Sequence, residues 1–129
     1  MKVAKQLSVM LPNAPGQLAM LCKKLAAAKV NIKAISVVET SEQGIVRLVV
    51  DKTAVARSVV KNAGLGHVET NVILAELANR TGELAKAAAA LARAKVNIEY
   101  VYGSVAPGAR DAAVVFGVAD LAKARKLIK

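Results

Sequence analysis

The residues in this sequence best suited to chemistry are four asparagines in two matched pairs. Asn13 and Asn31 stand eighteen positions apart, and so do Asn79 and Asn97. An amide carries both donors and an acceptor. Each amide can therefore donate to an anionic group with N–H and accept from a cationic one with C=O. Gly16 and Gly82 follow the first asparagine of each pair by three positions. Each opens a helix whose first-turn N–H groups are unpaired donors at the positive end of a dipole. A glycine there lets a ligand approach the backbone closely. This is the chemistry of binding rather than of bond making. A structural reading stands beside it: Asn13 and Asn79 cap helices, and Asn31 and Asn97 serve turns before strands.

No catalytic constellation accompanies these residues. His67 is the one histidine and lies in a Gly-rich turn without cysteines or clustered carboxylates. Cys22 is the one cysteine and falls on the apolar side of a helical pattern, as a buried structural thiol would. A lone cysteine also excludes an internal disulfide framework and a cysteine-based metal cluster. The carboxylates are scattered, so neither metal nor catalytic residues are expected, and no cofactor. Gly64-Leu65-Gly66 resembles part of a dinucleotide loop but follows a helix rather than a strand, and so fails the context that motif requires. Tyr100 and Tyr102 share one face of a strand, where they could line a pocket, meet a partner or pack.

The elements that must position the asparagines occur twice. Residues 13–34 and 79–100 are identical at 11 of 22 positions at an offset of 66. The matches include Leu18/Leu84, Leu25/Leu91 and the block Lys29-Val30-Asn31-Ile32 against Lys95-Val96-Asn97-Ile98. Such a repeat means two copies of one small unit. In the first, Gln6–Leu11 alternates as a half-buried strand. Pro12–Gly16 breaks it, and a helix to about Lys29 presents Leu18, Leu21, Cys22 and Leu25 inward. Val30–Thr40 and Ile45–Val50 read as strands around a turn at Ser41–Gly44. Asp51 or Thr53 caps a helix to about Asn62, and Gly64–Gly66 leads to a short strand at Val68–Thr70. In the second, a strand at Val72–Leu77 and a helix at Glu83–Ala94, with Leu84, Ala88 and Leu91 inward, precede strands at Val96–Val105 and Ala112–Val118. A helix at Leu121–Ile128 follows.

The fold class predicted is α+β, two ferredoxin-like βαββαβ units in tandem, at residues 1–70 and 71–129. The second unit has no segment for its last strand, so either the C-terminus is shortened or another strand fills the place. An open sheet edge invites a second chain.

Composition narrows the class further. Units of this size bury only about 60% of their unfolded surface, so each needs a neighbour. No apolar run is long enough for a membrane span, and the first residues do not read as a signal peptide, so the expectation is a cytoplasmic protein without membrane contact. The net charge is +10. Ten basic and three acidic groups fall in residues 1–66, and nine and six in 67–129. This suggests nucleic acid, but the chain has no Trp, one Phe and two Tyr, too few for stacking platforms. Lys23, Lys24, Lys29, Lys52, Arg57 and Lys61 read as solvated helix faces.

The turn and helix of each half resemble the ACT domain, a small-molecule sensor module of amino-acid metabolism. The resemblance rests on Asn13-x-Pro15-Gly16-x-Leu18 followed by Lys29-Val30-Asn31-Ile32, and again on Asn79, Gly82, Leu84 and Val96-Asn97-Ile98, with Thr81 in the usual place of proline. Ile98-Glu99-Tyr100-Val101-Tyr102 is similar to a run in stand-alone tandem ACT proteins of bacteria, which usually continue to a final strand. The resemblance implies a regulatory protein, not an enzyme, whose effector amino acid sits at an interface between ACT units. It implies a ligand site of Leu11, Asn13, Ala14, Gly16, Asn31 and Ile32 in one half, and of Leu77, Asn79, Gly82, Asn97 and Ile98 in the other. A homodimer and a partner enzyme are the expected partners. The alternatives are a nucleic-acid-binding protein using the basic helices and a regulatory subunit docked on a biosynthetic enzyme. The resemblance implies that serine-sensing members place one Asn in the turn and one at the second strand, eighteen residues apart, to meet the zwitterion, as Asn13/Asn31 and Asn79/Asn97 are spaced. Leu11 and Leu77, apolar just before the turns, nonetheless disfavour a simple copy of that serine site. The halves differ in charge and turns, so one is expected to bind better than the other.

Overall fold

Alternating Leu7, Val9 and Leu11 form the buried face of the first strand, β1 (Lys2–Pro12), in the computed structural model, which describes residues 1–127. Then follow α1 (Gln17–Ala27), β2 (Ile32–Glu39), β3 (Gln43–Val50), α2 (Thr53–Asn62), β4 (His67–Ala78), α3 (Glu83–Arg93), β5 (Ile98–Ser104), β6 (Asp111–Val118) and α4 (Leu121–Arg125). Antiparallel pairing puts Leu7 beside Leu48 and Val9 beside Val46 in β1 and β3, and Ile73 beside Phe116 in β4 and β6. This is the expected α+β architecture.

The chain forms two units by contact: Lys5–Thr70, and Met1–Ala4 with the residues from Asn71 onward. In the first, the strand order is β2-β3-β1-β4, with only the start of β4. The core joins β1 and β3 to Leu21, Leu25, Val30, Ala56 and Val60. In the second, β4, β6 and β5 follow in order, and the core joins Ile73, Ala75, Val114 and Phe116 to Ala87, Leu91, Val96 and Ala124. The place of a fourth strand beside β4 goes to the start of β1, which groups with this unit.

Several local expectations are corrected. The strands expected at Val68–Thr70 and Val72–Leu77 are one strand, because Asn71 between them adopts extended backbone without a turn residue. The inward stripe of α1 is Leu21 and Leu25, while Leu18 is 41% exposed and Cys22 half-buried. In α3 it is Ala87 and Leu91, with Leu84 49% exposed. Leu18 and Leu84 stand at the helix starts, one turn ahead of the core. Neither Asp51 nor Thr53 side chain caps α2; Asp51 instead accepts a 2.9 Å bond from the Asn31 N–H. The last helix was expected to run to Ile128, which lies outside the described residues; α4 is Leu121–Arg125, started by Asp120, whose carboxylate accepts from the Lys123 N–H at 3.1 Å.

The repeated Lys-Val pair is a helix stop. Lys29 N–H bonds to the Ala26 carbonyl at 2.9 Å and Val30 N–H to the Leu25 carbonyl at 3.0 Å. Lys95 and Val96 make the same bonds to Ala92 and Leu91. This is a Schellman closure with a buried valine packed on a leucine. The third copy, after α2, uses Gly64 at φ 73°. Lys29 and Lys95 hold the same left-handed conformation at φ 61° and 59°, which strains a side chain that has a Cβ. Lys29→Gly and Lys95→Gly are each expected to raise stability by about 0.5 kcal/mol, the relieved strain exceeding the added unfolded-state entropy. Urea unfolding of each variant against the parent measures it, and a loss of stability would contradict this account of the stops.

Arg57 is not simply part of a solvated face. Its Nε and Nη2 reach the two oxygens of Glu69 at 2.6 and 2.7 Å. These bonds, with the guanidinium charge, hold the Glu69 carboxyl below its usual range and push Arg57 up. The folded state therefore binds the Glu69 proton more weakly than the unfolded state does. The stabilisation is complete above the ordinary carboxylate range, near pH 4.5, and is lost as pH falls through the lowered folded value. Glu69→Gln is expected to be less stable than the parent at pH 7, with the gap closing toward pH 3; parallel urea titrations at the two pH values read it.

A candidate ligand groove in the second unit

Each unit carries the same scaffold where its first strand meets its first helix. In the second, the Asn79 N–H bonds to the Arg110 carbonyl at 3.0 Å and its side-chain amide to the Ala109 carbonyl at 2.9 Å. In the first, the Asn13 N–H bonds to the Glu42 carbonyl at 2.9 Å, and its amide nitrogen reaches Glu39 Oε2 at 3.0 Å and the Thr40 carbonyl at 3.1 Å. The first asparagine of each pair thus clamps its turn to the facing hairpin. Neither caps a helix: the caps are Gly16 and Gly82, at φ 86° and 89°, with no side-chain bond at either helix start. The reason is the turn itself, since Ala14 and Arg80 N–H fold back on the Pro12 and Ala78 carbonyls and carry the asparagines away from the helix. Both amide hydrogens of Asn13 are engaged, so Asn13 offers an incoming group only its Oδ1 acceptor.

The two asparagines of one unit do not meet. Asn13 binds the hairpin at the end of β2, whereas Asn31 precedes the start of β2 and pairs with Asp51 just past β3. Eight strand residues separate these ends, roughly 25 Å at the usual rise. The Asn97 backbone carbonyl likewise accepts from the Ala119 N–H at 3.0 Å, at the opposite end of its hairpin from Asn79. Ile32 and Ile98 sit with these second asparagines and pack against the two cores.

The space beside the clamps differs between units. In the first it is about 80 Å³, lined by Leu11, Pro12, Asn13, Ala14, Gln17, Leu18, Val37, Gly44 and Val46. In the second it is about 360 Å³, lined by Leu77, Ala78, Asn79, Arg80, Glu83, Leu84, Val101, Tyr102, Gly103, Ser104, Val105, Ala112 and Val114. Only the larger falls within the range of small-molecule pockets, about 300–1,000 Å³. Of the residues singled out in sequence, Leu77 and Asn79 line the larger space, and Leu11, Asn13 and Ala14 the smaller. Gly16, Gly82, Asn31, Ile32, Asn97 and Ile98 line neither.

Sequence reasoning missed the charged rim of the larger groove. Arg80 Nη2 lies 3.0 Å from Glu83 Oε1, and Lys86 Nζ 3.7 Å from the same oxygen. The Glu83 side chain is only 19% exposed, while Arg80 is 72% exposed. The first unit has Ala14 and Gln17 at the matching positions and no such pair. That exchange of neutral for charged residues between the copies was the available signal. Leu84, exposed on the groove, was missed because its helical spacing reads as core.

Tyr100 and Tyr102 stack with ring centroids 6.5 Å apart at 17°. Tyr100 lies over Gly117, where a Cβ would collide with the ring, and Tyr102 lines the groove. Among the described residues, no group of three or more His, Cys, Asp or Glu is placed to hold a metal ion, no buried side-chain polar atom lacks a partner, and no helix is long and apolar enough to cross a membrane.

Comparisons place this geometry among known folds. No curated protein matches the chain. The solved structure of protein BT0572 from Bacteroides thetaiotaomicron is similar, with 30% identity, a TM-score of 0.90, and coverage of 98% of this chain and 86% of that one. The ligand-free regulatory subunit of aspartate kinase from Thermus thermophilus shares 17% identity at a TM-score of 0.66, over 90% of this chain and 88% of its own. Its counterpart from Thermus flavus shares 17% at 0.63, over 90% and 82%. At that identity the likeness is one of fold. A family profile for the ACT domain pair matches residues 1–129, and the chain belongs to the ACT domain pair family.

Proposed function

We propose that the protein is a non-catalytic regulator that binds a free amino acid in the groove of its second unit. The observation that carries this reading is the pairing of a 360 Å³ space with the Arg80–Glu83 rim. A zwitterion has one charge for each of those groups: its carboxylate suits Arg80, and its ammonium suits Glu83 and Asn79 Oδ1. Leu77, Leu84, Val101 and Val114 leave an apolar wall for its side chain. The ACT family and a fold shared with regulatory subunits of aspartate kinase support a regulatory role.

In this reading Asn31 and Asn97 contribute only through a second copy of the chain, whose strand start would close over the groove as a homodimer. Binding would then shift how the protein meets itself or a partner enzyme. The nucleic-acid alternative is weakened at two of its six basic residues, since Glu69 holds Arg57 and the Lys52 amine bonds to the Lys29 carbonyl at 3.1 Å. Calorimetric titration with each of the twenty amino acids tests the proposal. The expected result is saturable binding at one site per chain; twenty flat titrations would overturn it.

A further inference from the structure

We propose that the groove of the second unit selects amino acids with an extended aliphatic side chain, and that Gly103 makes the room for it. The inference rests on the amino-acid reading above and deepens it. The edge strands of the two copies, β2 and β5, differ at every position from 33/99 to 38/104, and the exchange at 37/103 is the one that removes a side chain from the groove. Val37 of β2 pairs with Val46, and it lines the small space of the first unit. At the offset of 66 its counterpart in β5 is Gly103, which pairs with Val114. Val37 and Val46 lie nine positions apart, Gly103 and Val114 eleven, so the second hairpin is also longer by two residues. The missing side chain and the longer hairpin together open the larger groove.

The glycine is required by the backbone. A Cβ at Gly103 would fall 2.6 Å from the Ala113 carbonyl oxygen and 3.1 Å from Val114. Any side chain there forces the two strands apart or is pushed into the groove. The wall left bare is apolar: Leu77, Leu84, Val101, Val105 and Val114. Leu84, Val101 and Val105 are 49%, 45% and 41% exposed, so each has surface to bury against a ligand. The charged pair lies on the turn and first helical residue beside this wall. A ligand held there by its ammonium and carboxylate lays its side chain on leucine and valine. Serine or aspartate would instead lose the hydration of its side chain without a partner on that wall.

The test is a homologous series titrated into the full chain by calorimetry: glycine, alanine, 2-aminobutyrate, norvaline and norleucine, with serine and aspartate beside them. Each added methylene is expected to tighten binding by roughly fourfold until the groove is filled. Serine and aspartate are expected to bind no better than alanine. Leu84→Ser, at an exposed helix position, is expected to weaken norleucine by roughly three- to tenfold and to leave glycine unchanged. Gly103→Ala is expected to shorten the series at which affinity stops rising; should that variant fail to fold by circular dichroism, Leu84→Ser decides. A flat series, a preference for serine or aspartate, or unchanged norleucine binding by Leu84→Ser overturns the selectivity while leaving amino-acid binding standing. Absence of binding by every amino acid overturns both.

Discussion

Phe116→Ala is expected to cost the second unit about 3–5 kcal/mol, measured as a lowered urea midpoint and melting temperature. The ring is wholly buried at the centre of β6, between Ile73 of β4 and Val101 of β5. Its surroundings cannot collapse to fill the void, because three neighbours in that core are already alanines: Ala75, Ala87 and Ala124. The first unit's core holds leucines and valines at most of its positions and carries no aromatic ring. A loss of this size is a large share of the stability of a small domain, about 5–15 kcal/mol. A loss under about 1 kcal/mol would contradict the assignment of Phe116 as the centre of that core.

Glu83→Gln is expected to weaken amino-acid binding by roughly ten- to a hundredfold with the fold intact, since a charge-assisted bond contributes about 1.5–3 kcal/mol. The substitution keeps shape and removes charge. The matching position of the first unit is already Gln17, so the scaffold tolerates it. It also frees Arg80 from its 3.0 Å partner, which leaves the ligand's carboxylate contact available while removing the ammonium contact. Calorimetry gives the affinity, and an unchanged melting temperature of the unliganded protein shows that the fold is retained. Unaltered affinity would remove Glu83 from the site.

Much of the fold was legible in the residues. The offset-66 repeat, the alternation at Leu7, Val9 and Leu11, and the turn residues around the hairpins are local patterns, and local patterns survive into the structure wherever nothing distant opposes them. The block Lys-Val-Asn-Ile was legible as important but not in its meaning. Half of it is a helix stop, visible only once the left-handed Lys29 and Lys95 and their bonds to the preceding turn are seen. Leu18 and Leu84 show the limit of periodicity. Both lie on the helical stripe, but the stripe runs past the end of the sheet it covers, and those two side chains emerge on the groove.

The sequence by itself determined the duplicated unit, the order of its elements, the positions of its turns and the family to which it belongs, because each depends on residues close together in the chain. Only the tertiary structure decided which asparagines meet and which groove is open. Eighteen residues that cross one helix return the chain to the far end of the sheet, so Asn13 and Asn31 cannot share a ligand within one unit. The size of each groove depends on cross-strand partners, Val37 with Val46 in one and Gly103 with Val114 in the other, and strand register is a property of paired strands rather than of either alone.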